Sequence, residues 1–245
     1  MLSEKVKYYN SISPSKVFRG EDAWRQGKEF IPPLCQSPLL LGRSQVTRDI
    51  RSEITQDLKD IGINPTNANL LYDCCEEDLK NICKIAKQND CDGIIASGGG
   101  KVLDAGKLIA HRLSMPCITI PLSASTCAGW TALSNIYSPK GAFIKDVQLS
   151  SCPNILIFDH KYVRAAPPRT LASGIADGLA KWYEASLSSG STRDGFVQQA
   201  VQMARVLRDQ LFIDGLNAFH HPHSDSWTTV AEGCSLTAGL IGGIG

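Results

Sequence analysis

The sequence lacks long apolar runs and any strong excess of one charge. It contains no apolar stretch of about 18 residues, and its opening MLSEKVKYYNS has no apolar core, so neither a membrane-spanning helix nor a secretory signal is expected. Lys and Arg total 25 against 24 Asp and Glu, a net charge of +1. Nucleic acid and acidic membrane surfaces are therefore not expected partners, and we predict a soluble, cytoplasmic protein that binds a small molecule.

Paired-cysteine patterns are also missing. The nine cysteines are an odd number and are scattered along the chain, unlike the disulfide framework of a small secreted protein. No CxxC pair is followed by a second pair at zinc spacing, so a cysteine-based structural metal site is not expected. This cysteine usage favours a reducing compartment.

Short apolar runs alternate with amphipathic stretches from residue 38 onwards. The apolar runs predict buried strands at 38–42, 69–72, 92–96, 116–121 and 154–159. The stretches between them predict helices over 50–61, 76–88 and 102–113. Such alternation requires parallel strands with right-handed crossovers, which predicts an α/β fold with a doubly wound parallel-sheet nucleotide-binding domain.

The pattern changes at AAPPR, residues 165–169, where two prolines interrupt it and everything downstream is predicted to be helical, including 193–212 and 230–240. We therefore predict a dinucleotide-binding domain at 1–164 and the N-terminal part of an all-helical domain at 165–245. The final GLIGGIG has no helix cap or polar tail, so we expect the chain to be truncated at its C-terminus.

A glycine turn, SGGGK at Ser97–Lys101, joins a predicted strand to a predicted helix. The amides of Gly98, Gly99 and Gly100 converge there with the helix start, where a phosphate can approach without meeting a Cβ. Lys101 adds a cation, and Asp104 lies one turn further on, where it can accept a hydrogen bond from a ligand. The string is neither GxGxxG nor a P-loop, and a tight turn that binds nothing is the alternative. The carboxyl end of a strand in a doubly wound sheet favours a nucleotide.

Two further segments accompany GGGKVLDAGK (98–107): IPLSASTCAGWTALSNIYS (120–138) and APPRTLASGIADGLAKWYEA (166–185). Together they resemble the glycerol dehydrogenase branch of the iron-containing alcohol dehydrogenase and dehydroquinate synthase-like superfamily. The resemblance implies that the glycine turn holds a dinucleotide pyrophosphate, with Lys101 and Asp104 close to the cofactor. It also implies that five residues line the nicotinamide end of the cofactor: Ser125, Thr126, Thr131, Leu133 and Tyr137. Without the resemblance, this Ser- and Thr-rich loop is better explained as satisfying its own backbone.

The resemblance also implies a metal ligand, because Asp177 matches the family's first one. Gly174 and Gly178 flank it, and we expect them to leave space around the carboxylate. The alternative is an ion pair with Lys181, four residues on. The family completes a zinc or iron site with two downstream histidines, and this chain ends before both, so the divalent metal requires ligands supplied from elsewhere.

Histidines are scarce, and three of the five form the cluster HHPH at 220–223. No family motif matches this cluster, and Pro222 interrupts any helical face. We interpret His220, His221 and His223 as an exposed loop, with adventitious metal binding as the lesser alternative.

Two positions depart from the glycerol dehydrogenase pattern. Cys127 stands where those enzymes carry an aspartate that contacts the polyol, so the substrate position is altered and glycerol is a doubtful substrate. Arg43 stands near the end of the first predicted strand, where an acidic residue would hold the ribose hydroxyls of NAD. An arginine there suits the 2′-phosphate of NADP, and a solvated surface arginine is the alternative.

These observations predict a metal-dependent NAD(P) alcohol or polyol dehydrogenase acting on a small alcohol or carbonyl. No catalytic side chain is assigned. A non-catalytic nucleotide-binding fragment is the first alternative. A dehydroquinate synthase-like cyclase is the second, although the basic side chains that a phosphorylated substrate needs are missing from 120–138. The resemblance also implies self-association into a homo-oligomer.

Overall fold

The computed structural model describes residues 11–244. The opening residues 1–10, in which no secretory signal is expected, and Gly245 lie outside this range. The strands are β1 Lys16–Gly20, β2 Pro38–Gly42, β3 Thr66–Asn69, β4 Gly93–Gly98, β5 Cys117–Pro121, β6 Leu133–Tyr137, β7 Phe143–Gln148 and β8 Ile155–Asp159. The α-helices are α1 Ala23–Gly27, α2 Arg48–Asp60, α3 Glu76–Gln88, α4 Gly100–Leu113, α5 His160–Arg164, α6 Pro168–Ser189, α7 Gly195–His220, α8 Asp225–Glu232 and α9 Ala238–Ile244.

Six parallel strands form the main sheet in the order β1-β8-β5-β4-β2-β3, and β6 and β7 form a separate antiparallel hairpin. All residues of the four inner strands are buried, as expected of a parallel sheet covered on both faces. Successive residues point to opposite faces: Leu39 and Leu41 pack with α3 and α4, whereas Leu40 packs with α1 and α2. The predicted doubly wound α/β architecture is confirmed.

The strand order reverses between β2 and β4. From β2 the chain moves outward to β3 and then returns to β4 on the other side of β2. Leu41 pairs in register with Ala96, so Gly42 and Ser97 lie at the same height at the carboxyl edge of the sheet. Ligands of doubly wound proteins bind in the crevice at such a reversal, and here the glycine turn borders it.

The remainder of the described chain is helical from α5 onwards, as predicted. Helix α6 begins at Pro168, whose fixed φ and missing N–H suit the first position of a helix. A π-helical segment, Gly233–Thr237, joins α8 to α9. One apolar cluster unites these helices with Phe158 of β8 and Trp130 of the loop before β6, so it contains residues from both sides of 164/165. The domain boundary there stays a prediction.

The prediction of a strand at 69–72 is wrong. Strand β3 ends at Asn69, and the chain then forms a loop. Leu71 is 70% exposed, and the amides of Tyr72 and Asp73 donate to the Asp78 carboxylate at 2.7 and 3.0 Å instead of pairing with a strand. Leu70 is buried just beyond β3 whereas Leu71 is exposed, and a short apolar run in the sequence does not distinguish this loop from a buried strand. In residues 11–244, no helix combines the length and apolar composition that crossing a bilayer requires.

Candidate dinucleotide site

The glycine turn lies between the end of β4 at Gly98 and the start of α4 at Gly100. Gly99 is the N-cap residue and provides no side-chain cap, while its carbonyl accepts from the amides of Val102 and Leu103 at 2.9 and 3.1 Å. The amides of Gly100 and Lys101 belong to the first turn, where N–H groups have no acceptor inside the helix. This helix start presents free donors and a positive dipole end to an anion in the crevice.

Different surroundings explain why glycine occupies each of the three positions. A Cβ on Gly98 would lie 2.8 Å from the Val102 side chain, and one on Gly100 would lie 2.9 Å from the methyl group of Thr126. A Cβ on Gly99 would meet nothing nearer than Ser123 Oγ at 4.0 Å. Protein packing therefore explains Gly98 and Gly100, whereas Gly99 leaves open space at the helix start.

The Ser123 hydroxyl borders this open space, and further hydroxyls lie on the same loop. Ser123 Oγ and Ser125 Oγ lie 3.1 Å apart on the loop after β5, and Thr126 Oγ1 accepts from the Ala128 amide at 3.2 Å. The fully buried Ser97 Oγ, at the end of β4, has no hydrogen-bond partner within residues 11–244. An uncapped helix start and an open glycine fit the phosphates of a dinucleotide.

The Lys101 side chain was expected to add a cation at the phosphate position, but its ammonium contacts two protein side chains. Its ammonium forms an ion pair with the buried carboxylate of Asp73 and lies 4.9 Å from the centroid of the Tyr137 ring. Its side chain keeps 41% exposure. The sequence reasoning missed Asp73, although an acidic residue just after an edge strand was a signal that it lies at this edge of the sheet.

Asp104 and Thr131 also depart from expectation. Asp104 is only 6% exposed and pairs with the buried ammonium of Lys107 at 3.3 Å, because it lies on the face of α4 that packs against β6. Burial raises the pKa of the Asp104 carboxyl. Lys107 donates to the carbonyl of Thr131 at 2.9 Å and to that of Leu133. Asp104 and Thr131 therefore lie between α4 and β6, where both contact the Lys107 ammonium.

Arg43 follows β2 and is exposed at the same crevice edge as the glycine turn. A second guanidinium, which sequence reasoning missed, lies against Gly42: Arg51 donates to the Ser44 carbonyl at 3.0 Å and to Asn69 Oδ1 at 3.4 Å. Burial lowers the pKa of Arg51. The edge beside β2 thus carries one free and one anchored arginine.

Asp177 lies on α6, electrostatically close to two thiols. Burial raises the pKa of Cys127, and Asp177 adds to this rise while Lys181 opposes it. Burial also raises the pKa of Cys234 to about 12, with a further contribution from Asp177. The charge of Asp177 thus acts on both thiols in the same direction as burial, against their thiolate forms.

The flanking glycines serve helix packing and do not open space around Asp177, which corrects the expectation. A Cβ on Gly174 would overlap the Ala124 carbonyl, and one on Gly178 would lie 2.7 Å from Leu211 Cδ1. Lys181 has its ion-pair contact with Glu184, at 4.0 Å. Close approach to the loop after β5 and to α7 explains both glycines.

The residues of this chain do not by themselves fit a catalytic metal. Across the described range 11–244, no group of three or more His, Cys, Asp or Glu side chains could hold an ion. Catalytic zinc normally takes three protein ligands and an open position, and Asp177 supplies one. His220 ends α7, and His221 and His223 are exposed, so the histidine cluster forms no site of this kind.

Comparison with known proteins places this geometry in a family. The model of the family described as iron-containing alcohol dehydrogenase matches residues 14–160. An uncharacterized oxidoreductase of Synechocystis sp. is 42% identical over 96% of this chain and 60% of its own length. Glycerol dehydrogenase of Escherichia coli O6:H1 is 35% identical over 84% of this chain and 58% of its own length.

Solved structures agree with these sequence matches. Glycerol dehydrogenase from Schizosaccharomyces pombe superimposes with a TM-score of 0.83 and 28% identity, covering 97% of this chain and 62% of that protein. The chain thus spans about 60% of the length of the relatives it matches. The predicted resemblance to glycerol dehydrogenases is confirmed, and the chain belongs to the iron-containing alcohol dehydrogenase family.

Proposed function

We propose that the glycine turn binds a nicotinamide dinucleotide and that the protein is an oxidoreductase of small alcohols or polyols and their carbonyl products. The observation that carries the proposal is the uncapped start of α4 behind the open Gly99, at the reversal point between β2 and β4. Family membership supports the reaction class, since relatives of this chain include named glycerol dehydrogenases.

In this proposal the amides of Gly99, Gly100 and Lys101 hold the pyrophosphate, and Gly98 sets the close approach of the turn. The adenosine end lies toward Arg43, and the nicotinamide end lies along the loop after β5 and β6, with Ser125, Thr126, Leu133 and Tyr137. When bound, the nicotinamide ring supplies hydride transfer. Asp104 and Thr131 act from below, through Lys107, by fixing α4 against β6.

The choice between NAD and NADP depends on Arg43 in this account. Its exposed guanidinium directly after β2 forms no ion pair with another side chain of residues 11–244, and it suits a 2′-phosphate. Arg51 donates to Ser44 and Asn69, so in this proposal it stabilises the sheet edge beside β2 and does not contact the cofactor. We propose that NADP is accepted at least as well as NAD.

The substrate lies beside Cys127 in this proposal, next to Asp177. A thiol is only a weak donor and acceptor, so Cys127 does not offer the two carboxylate oxygens with which an aspartate would bind polyol hydroxyls. Substrates with few hydroxyls, either alcohols or carbonyls, therefore suit this position better than glycerol. Zinc or iron dependence is proposed only for a protein in which further ligands join Asp177, and no step is assigned to the metal here.

A second candidate is a nucleotide-binding protein without turnover. One observation supports it: residues 11–244 contain the glycine turn but no group of three or more potential metal ligands. Both candidates share the dinucleotide site and differ in whether hydride is transferred.

The test is a titration of the purified chain with NADH and NADPH, followed by energy transfer from tryptophan to the reduced nicotinamide. We expect saturable binding that the oxidised dinucleotide reverses. Absence of binding up to about millimolar ligand, the weak limit of specific recognition, overturns the proposal. Nicotinamide absorbance with glycerol or glycolaldehyde, with and without added zinc or iron, then separates the dehydrogenase from the non-catalytic candidate.

A further inference from the structure

The position of Lys101 leads to an assignment for a residue outside the recognised motifs. We propose that Asp73 is a positioning residue: through Lys101 and Tyr137 it fixes the β6–β7 hairpin over the nicotinamide half of the site. We call Asp73, Lys101 and Tyr137 the clamp. The inference rests on the proposed dinucleotide site.

Asp73 is held rigidly before it meets the lysine. Its Oδ1 accepts from the Cys74 amide at 2.7 Å, and its own amide donates to Asp78, which also binds the amide of Tyr72. Asp78 is itself buried in the first turn of α3. The Asp73 side chain is only 4% exposed, so its free oxygen, Oδ2, is a fixed and desolvated acceptor for a cation.

Lys101 fills that acceptor from the first turn of α4. Its charge is thereby turned toward Asp73 and the face of Tyr137, 4.9 Å away, while its backbone amide remains at the helix start. Lys101 therefore has two separate roles in this proposal. Its backbone amide faces the crevice, and its ammonium links α4 to the β6–β7 hairpin. A phosphate would meet the amide without requiring the ammonium.

The hairpin completes the clamp through two further contacts. The Tyr137 amide donates to the Cys74 carbonyl at 2.8 Å, directly beside Asp73. Gly141, in the hairpin turn at φ +86°, lies so close that a Cβ there would be 3.8 Å from Asp73 Oδ2 and 3.9 Å from Lys101 Nζ. Loop, helix start and hairpin therefore meet at one ion pair, and Tyr137 at the end of β6 packs against it.

This arrangement predicts different effects on the two halves of the cofactor. ADP carries the adenosine and phosphates but lacks the nicotinamide, so its binding depends on the backbone amides and not on the hairpin. NADH reaches the hairpin. Loosening the clamp should therefore weaken NADH and spare ADP, a split that general destabilisation of the fold does not produce.

The experiment compares NADH and ADP dissociation constants for Asp73→Asn, Lys101→Met and Tyr137→Leu. We expect each variant to weaken NADH by about fivefold, the scale of one cation–π contact, and to change ADP by less than about twofold. Tyr137→Phe keeps the ring that Lys101 faces, so it should retain more NADH affinity than Tyr137→Leu. The matched control is Glu76→Gln, which breaks the exposed ion pair with Arg112 and should change neither ligand.

Three results overturn the assignment: unchanged NADH binding in Asp73→Asn, equal weakening of NADH and ADP in Lys101→Met, or NADH binding weakened as much in Tyr137→Phe as in Tyr137→Leu. Equal weakening would show that the lysine contacts phosphate directly. Asp73→Glu, which retains the charge, guards against a folding defect, because it should recover part of the NADH affinity lost in Asp73→Asn. If wild type binds neither ligand, it is the proposed dinucleotide site that fails.

Discussion

The ammonium of Lys107 lies 3.3 Å from the carboxylate of Asp104, and both side chains are less than a tenth exposed. Lys107 also donates to the Thr131 carbonyl at 2.9 Å and to the Leu133 carbonyl. The helix that starts at the glycine turn is therefore tied at its middle to the strand that carries the predicted nicotinamide residues. A buried pair is costly to form and more costly to break, because each partner left alone is an uncompensated charge.

Lys107→Met should destabilise the protein by about 3–5 kcal/mol, since it strands the Asp104 carboxylate and two carbonyls. Asp104→Asn should cost less, about 1–3 kcal/mol, because the lysine keeps its carbonyl acceptors. Urea unfolding followed by circular dichroism measures both. Equal costs, or a greater cost for Asp104→Asn, would contradict the assignment of Lys107 as the central member.

The same pair predicts a pH dependence. Burial raises the pKa of Asp104 in the folded state above its unfolded value. Between these two pKa values the folded protein holds more protons, so its free energy of unfolding falls as the pH rises. Lys107→Met removes the cation that pairs with Asp104. Its loss in free energy of unfolding relative to wild type should shrink as the pH is lowered through the raised pKa, because protonation removes the uncompensated charge of Asp104. A deficit that grows on acidification would contradict this sign.

Gly174→Ala should destabilise the protein by about 1–3 kcal/mol, because the added Cβ overlaps the backbone carbonyl of Ala124, which cannot move alone. Gly178→Ala is the matched control on the same helix face. Its Cβ meets only the end of the Leu211 side chain, and alanine favours the helix by about 1 kcal/mol, so the net change should be small. Thermal unfolding compares the two, and equal midpoints would refute the contact.

Arg43→Ala should weaken NADPH by about tenfold and leave NADH within about twofold, because only NADPH carries the 2′-phosphate. The reason is the exposed position of Arg43 beside the glycine turn. Arg48→Ala, an exposed arginine in the first turn of α2, serves as the control. Parallel fluorescence titrations decide the matter, and an equal effect on both cofactors would assign Arg43 to the solvated surface.

The purified chain should hold no stoichiometric zinc or iron, since Asp177 belongs to no group of three or more potential ligands in residues 11–244. Elemental analysis after dialysis measures this, and chelation should leave NADH binding unchanged. One tightly held ion per chain that disappears in Asp177→Ala would show that the described residues form a metal site after all.

Much of the sheet was predictable because its inner strands are continuous apolar runs. The strand at 38–42 and the helix at 76–88 coincide with prediction, since buried Leu residues and the spacing of Leu79, Ile82 and Ala86 depend only on local pattern. The hairpin and β1 were missed because their burial is partial and their pairing is decided by distant parts of the chain.

The position of the glycine turn between a strand and a helix was predictable, because the glycines and the flanking apolar pattern are local features. The anion site at this turn stays a prediction. The partners of Lys101 and Asp104 were not predictable, because Asp73 lies 28 residues from Lys101 in sequence and Lys107 competes with any ligand for Asp104. Sequence shows which residues carry charge, and tertiary packing decides which charges remain available.

Gly99→Ala tests the central claim most directly. Gly99 has an extended backbone (φ −82°) that alanine adopts freely, and its Cβ would enter only the open space before α4, so folding should be unaffected. Gly195→Ala, an equally open glycine at the start of α7, is the matched control. We predict that Gly99→Ala weakens NADH and ADP alike by at least about tenfold, while Gly195→Ala binds as wild type. Wild-type affinity of Gly99→Ala for both ligands would contradict a dinucleotide site at the glycine turn.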